Sequence, residues 1–127
     1  GEMRRILNSF LQFIEQDNSG SIIISATNNQ KLLDQALFRR FDDVLHYKLP
    51  TYVEIKRLLE YKIKLYDKDF MIPKDVVKAS VGLSHAEIAR ACDDAIKNSI
   101  LNDESITGKM IISLLNERHN VYSCKEA

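Results

Sequence analysis

The sequence has no excess of charge of either sign. Eighteen basic residues meet eighteen acidic ones, so the formal net charge of the 127-residue chain is 0. The balance is also local, six against six in residues 1–50 and twelve against twelve in residues 51–127. Counterion release from nucleic acid or an anionic membrane needs a basic patch, so neither is expected as a partner. No apolar run approaches the roughly 20 residues that span a bilayer, and no charged-then-apolar signal segment opens the chain. Cysteine is scarce. Cys92 and Cys124 stand too far apart for a disulfide framework or a zinc site. His46, His85 and His119 share no ligand spacing, and no metal site is expected. With 45% hydrophobic residues the chain falls in the globular range. The expectation is a soluble, cytoplasmic protein of one ordinary domain or two small ones.

What is present falls into two textures. Met3, Ile6, Leu7, Phe10 and Ile14 recur at helical spacing, which predicts an amphipathic helix over residues 2–16, ended by Asp17-Asn18-Ser19-Gly20. Ile22-Ile23-Ile24 then predicts a short strand buried on both faces, because three β-branched residues follow a turn signal. A helical turn is expected over Gln30–Phe38 and a second strand over residues 44–49, where His46 and Lys48 alternate with Leu45, Tyr47 and Leu49. After Pro50 only helices are predicted. Thr51-Tyr52-Val53-Glu54 and Ser84-His85-Ala86-Glu87 are capping boxes. Pro73 suits the start of a short helix. Ile88, Ala91, Cys92, Ala95, Ile96, Ser99 and Ile100 form one narrow apolar face, and Thr107 caps a last helix. The tail from His119 carries no pattern and is expected to fray.

Two nucleotide motifs are missing. The Gly108-Lys109 pair has Asp103 where a phosphate loop needs its first glycine and Met110 where it needs Ser or Thr. The apolar run at 22–24 ends in Ser25-Ala26-Thr27, not in an acidic pair that would hold magnesium. Two polar groups remain. Asn28-Asn29 follows a predicted strand, where ligands of open α/β sheets sit, yet two asparagines also simply make a turn. Arg39-Arg40 precedes Phe41-Asp42-Asp43 and can equally complement a helix C-terminus or pair with carboxylates.

Ser25-Ala26-Thr27-Asn28-Asn29, then Leu33-Asp34-Gln35-Ala36-Leu37-Phe38-Arg39-Arg40-Phe41-Asp42, then Leu49-Pro50, resembles the second region of homology of the AAA ATPase family. Gly82-Leu83-Ser84-His85-Ala86-Glu87-Ile88 resembles the family's lid segment, glycine-x-serine-glycine-alanine-acid-aliphatic. Leu7-Asn8-Ser9-Phe10-Leu11-Gln12 resembles the helix after the metal-binding strand. The likeness covers about residues 1–115. It implies an α/β fragment of a parallel sheet of the P-loop NTPase type, residues 1–49, followed by an all-α four-helix lid, residues 50–127. In the family's sheet, strands 22–26 and 44–49 are not neighbours, so both would have open edges here.

By the same resemblance Asn28 is the sensor-one residue that orients the attacking water. Arg39 and Arg40 are arginine fingers that reach a neighbouring subunit's nucleotide. Gly82, Ser84 and Ala86 border the base and ribose. The implied parent is an ATP hydrolase that uses ATP and magnesium, assembles as a homo-oligomeric ring of the hexameric kind, and remodels a protein substrate. This chain alone is expected to be inactive and to bind no cofactor tightly. The sequence departs from the family in its adjacent arginines, in His85 where a glycine is usual, and in lacking a sensor-two arginine; Arg90 reads as a surface residue. The rival reading is a non-catalytic helical adaptor built on residues 50–118.

Overall fold

A helix satisfies its own backbone hydrogen bonds, whereas a strand depends on neighbours, and that difference organises this molecule. The computed structural model describes residues 1–29 and 35–126. Its elements are α1 (Glu2–Gln16), α2 (Gln35–Phe38), α3 (Tyr52–Lys64), α4 (Lys74–Ser80), α5 (His85–Asn102) and α6 (Gly108–Glu126). The chain divides into two units, Gly1–His46 and Tyr47–Ala127.

In the first unit α1 forms where the apolar periodicity predicts it. Asp17 ends it with a local turn: its carboxylate accepts from the Ser19 amide at 3.0 Å and from the Ser19 hydroxyl at 2.8 Å. Leu11 is buried in this helix, but Met3, Ile6, Phe10 and Phe13 are exposed. The predicted helical turn over Gln30–Phe38 is present as α2 from Gln35 onward, and residues 30–34 lie outside the described residues.

The expected α/β fragment of a parallel sheet followed by a four-helix lid is not the fold observed. Among the described residues there is no strand. Both predicted strands are irregular, and their side chains face solvent: Ile22 is 90% exposed, Ile24 89% and Tyr47 88%. The reason is physical. A β-branched run favours extended backbone locally, but a strand exists only when a second strand takes up its amides and carbonyls. Neither segment finds one here.

The second unit needs no such partner. α5 packs against α3 and α6, while α4 packs against α6 and α3, closing a ring of helix contacts. Thr51 caps α3 through a complete capping box, its amide donating to the Glu54 carboxylate at 2.7 Å and its hydroxyl accepting from the Glu54 amide at 3.4 Å. The backbone and side-chain hydrogen bonds from Thr51 hold the Glu54 carboxyl below its usual range. Pro73 occupies the position just before α4, and buried Ser80 is satisfied by donating to the Val76 carbonyl at 2.9 Å. α5 ends at Asp103, left-handed at φ 53°, with the Glu104 amide donating to the Ser99 carbonyl at 3.0 Å. Lys62 of α3 meets Asp93 of α5 at 2.6 Å, and this hydrogen bond raises the Lys62 pKa. α6 begins after Thr107, whose hydroxyl accepts from the Met110 amide at 3.3 Å. It runs on to Glu126, past the point where fraying was expected.

The core of this unit gathers Ile55, Leu59 and Ile63 of α3, Val76 and Val77 of α4, Ile88, Ala91, Cys92 and Ala95 of α5, and Ile111 and Leu115 of α6. Burying one Leu or Ile fully contributes roughly 1.5–3 kcal/mol. Gly108 permits a close approach at one corner of this core. A Cβ there would lie 3.1 Å from Cγ of Pro73, tighter than side chains normally pack. Because Ile88 is wholly buried and Ile24 is not, Ile88→Ala is expected to lower unfolding stability by about 2–5 kcal/mol and Ile24→Ala by close to nothing. Urea unfolding followed by circular dichroism checks this. Equal effects would mean that the 22–24 segment is packed.

Candidate functional site

Each predicted site residue owes its place to local structure. Asn28 sits in a bend, exposed, directly after Thr27. The Thr27 hydroxyl accepts from the Asn29 amide at 3.1 Å, so the backbone here is folded by a side-chain turn of the kind that Ser and Thr make. The simple turn reading of Asn28-Asn29 therefore describes its backbone, and the Asn28 side chain stands on its outer surface.

Arg39 and Arg40 are neighbours in the turn that ends α2, and both are exposed. The Arg39 amide donates to the Gln35 carbonyl at 3.2 Å, which continues the helical pattern for one residue. The Arg40 guanidinium lies 3.4 Å from a carboxylate oxygen of Glu15, near the end of α1. With both side chains this exposed, the pair is worth about 0–1 kcal/mol, a light tether. Adjacent residues on such a turn project in different directions, so the two guanidinium groups are not equivalent.

Gly82, Ser84 and Ala86 are brought together in the α4–α5 connection of the other unit. Gly82 has φ +88°, a left-handed conformation that glycine alone adopts without strain. It turns the chain out of α4 so that Leu83 enters the core at 1% exposure. Ser84 then caps α5, accepting from the Glu87 amide at 3.2 Å. His85 and Ala86 occupy the exposed first turn, where the positive end of an 18-residue helix presents amide donors. An anion or a ring nitrogen is the ligand such a turn accepts best. Asn28, Arg39 and Arg40 belong to the first unit, and the glycine turn belongs to the second.

Two residues around this turn escape sequence reasoning. His119 of α6 donates from Nε2 to the Ala79 carbonyl at 2.8 Å, just before the turn. Since a carbonyl only accepts, that nitrogen carries the proton. Arg118 lies 3.6 Å from the Glu87 carboxylate and 3.2 Å from that of Asp94, both on α5. Both residues fall where apolar periodicity fades, so only their polar side chains, one helical turn beyond Leu115, could have drawn notice.

The thiol of Cys92 is buried in the core, and burial pushes its pKa up to about 12, which makes it inert. A shallow groove of about 490 Å³ is lined by Tyr66, Asp67, Ser99, Ile100, Asp103 and Glu104 among others, and none of the six predicted site residues borders it. Among the described residues no three His, Cys, Asp or Glu side chains group as metal ligands. Among the same residues no helix is long and apolar enough to cross a membrane.

Residues 1–49 match the family described as ATPase family associated with various cellular activities (AAA). An uncharacterized AAA family ATPase of Sinorhizobium fredii is 41% identical over 100 residues, 79% of this chain and 30% of that protein. A putative 26S proteasome regulatory subunit homolog of Methanothermobacter marburgensis is 33% identical over 109 residues, 83% of this chain and 29% of that protein. The ATP-dependent zinc metalloprotease FtsH of Parabacteroides distasonis is 31% identical over 113 residues, 85% of this chain and 16% of that protein. The chain thus spans about 30% of the length of the first two relatives. No solved structure matches it.

Substituting the turn glycine tests its geometry. Space is not limiting at Gly82, since a Cβ would meet only His119 Cε1 at an ordinary 3.7 Å. The cost is conformational, so Gly82→Ala is expected to destabilise the helical unit by about 1–2 kcal/mol. Thermal melts should show it, and an unchanged midpoint would mean that the turn relaxes to negative φ.

Proposed function

The chain belongs to the AAA family of ATPases, and from that premise we propose that it supplies the second part of an ATPase module. In this reading Asn28 orients the water that attacks the terminal phosphate. Arg39 and Arg40 extend to a nucleotide held by the neighbouring subunit of a ring, where a guanidinium can fork onto phosphate oxygens as charge shifts in the transition state. Gly82, Ser84 and Ala86 border the base and ribose, and the helical unit acts as the lid. ATP and magnesium bind in the longer protein, whose phosphate loop and metal-binding acids would come from sequence other than this chain. Hydrolysis there would drive remodelling of a protein substrate.

The observation that carries this reading is the exposed Arg39-Arg40 turn inside the family-matched segment, where among the described residues the one ion pair is the surface contact of Arg40 with Glu15. A structural arginine would be expected to sink into a fuller network. A finger has to be free to leave. In related hydrolases such a finger is worth about 10³–10⁵ in rate.

A second reading, a non-catalytic helical adaptor, draws support from the self-contained core of α3–α6. It gives no reason for Thr27-Asn28 and Arg39-Arg40 in that order. A phosphate loop encoded upstream of Gly1 would decide for the ATPase.

Two outcomes are expected. Calorimetric titration of this chain with magnesium-ATP should give no binding tighter than about 0.1 mM, because the glycine turn alone covers too little of a nucleotide. Low-micromolar affinity would reveal a site of its own. In the longer ATPase, Arg39→Ala should abolish turnover while nucleotide still binds. Mixing it with a phosphate-loop lysine mutant should recover part of the activity, because mixed interfaces reunite intact halves. Loss of nucleotide binding in an assembled Arg39→Ala ring, or no recovery at any mixing ratio, would refute action across the interface.

A further inference from the structure

Consecutive residues of α6 grip the two sides of the Gly82 turn. Before the turn, His119 Nε2 donates to the Ala79 carbonyl at 2.8 Å, and Ala79 is the penultimate residue of α4. After it, Arg118 reaches Glu87, whose amide is the one capped by Ser84, at 3.6 Å. The same guanidinium continues to Asp94 at 3.2 Å, two turns further along α5. These groups are not surface decoration: the side chains of Arg118 and Glu87 are each only 21% exposed. The connection between α4 and α5 has just Val81, Gly82, Leu83 and Ser84 in it, with Leu83 buried as its anchor. Two polar contacts and one apolar anchor fix the direction in which the α5 N-terminus points.

We propose that Arg118 and His119 are positioning residues for nucleotide, holding the Gly82–Ala86 turn in the pose that meets the base and ribose. This rests on the reading of that turn as nucleotide-bordering. Neither residue touches the ligand; each acts through the backbone it holds. His119 sets the exit of α4, and Arg118 sets the first turn of α5. An uncharged amide at position 119 that still donates to Ala79 should serve as well as the imidazole, because the carbonyl asks only for a donor.

The test has two readouts. In this chain, hydrogen exchange of the amides at 82–88 should quicken by about threefold to tenfold in His119→Ala and in Arg118→Met, with α3 core amides unchanged. In the longer ATPase the same variants should raise KM for ATP by about threefold to tenfold with kcat within about twofold, and His119→Gln should restore the wild-type KM. Unchanged exchange at 82–88 in a folded variant overturns the positioning role outright. Quicker exchange with an unchanged KM also overturns it, and Gly82→Val then locates the fault: if that variant too leaves KM alone, the turn does not border nucleotide and the underlying reading fails. A fall in kcat without a rise in KM would assign these residues to the chemical step instead, and is a third way for the proposal to fail.

Discussion

Every backbone amide and carbonyl that leaves water must find a partner, and the two units of this chain meet that demand in different ways. In α3–α6 the pairing is internal to each helix, so the only surface left to cover is an apolar stripe. Four stripes cover one another. Ile55, Leu59, Ile88, Ile111 and Leu115 are buried together, and all of them belong to the second unit. The caps at Thr51, Ser84 and Thr107 then take up amides that the first turns leave over. The same demand has no local answer for residues 22–24 of the first unit or for residues 44–49 at the boundary between the units, and those segments stay irregular with their apolar side chains in solvent.

That contrast explains which features could be read from the sequence. Capping boxes are short-range signals with a complete mechanism inside four residues, and Thr51-Glu54 forms as its letters suggest. The face of α5 is also local, since one helix turn decides which of its residues align. Ile88, Ala91, Cys92, Ala95 and Ser99 are buried together, whereas Ile100 at its edge is exposed. The strand prediction at Ile22-Ile23-Ile24 used an equally local signal for a structure that is not local. β-Branching states a preference for extended backbone and says nothing of whether a neighbour is there to be paired with. At the site, the positive φ of Gly82 and the cap at Ser84 follow from residue type. The grip of Arg118 and His119 does not, because its partners lie 24 to 40 residues away in sequence.

The electrostatics are those of a molecule with little stored in any one pair. Charge sums to zero, and the ion pairs at Arg40–Glu15 and Lys62–Asp93 each keep at least one well-exposed partner. Pairs of that kind give way at modest cost when a stronger anion arrives. The Arg118 bridge differs in being mostly covered and in spanning two carboxylates on one helix. Lys62 and Arg118 are themselves covered to nearly the same degree, 23% and 21% exposed, so the difference between them lies in their carboxylate partners.

The missing methyl at Gly108 has a mechanical side. The first residue of α6 sits against the Pro73 ring at the start of α4, so two helix origins share one fulcrum. From there to Arg118 is ten residues, a lever arm of about 15 Å of stiff helix. Buried Ile111 and Leu115 fix the helix between that fulcrum and its far end, where the guanidinium and imidazole hold the glycine turn. The seat of α6 against Pro73 and its grip on the glycine turn thus belong to one stiff element, so the placing of one end sets the register of the other.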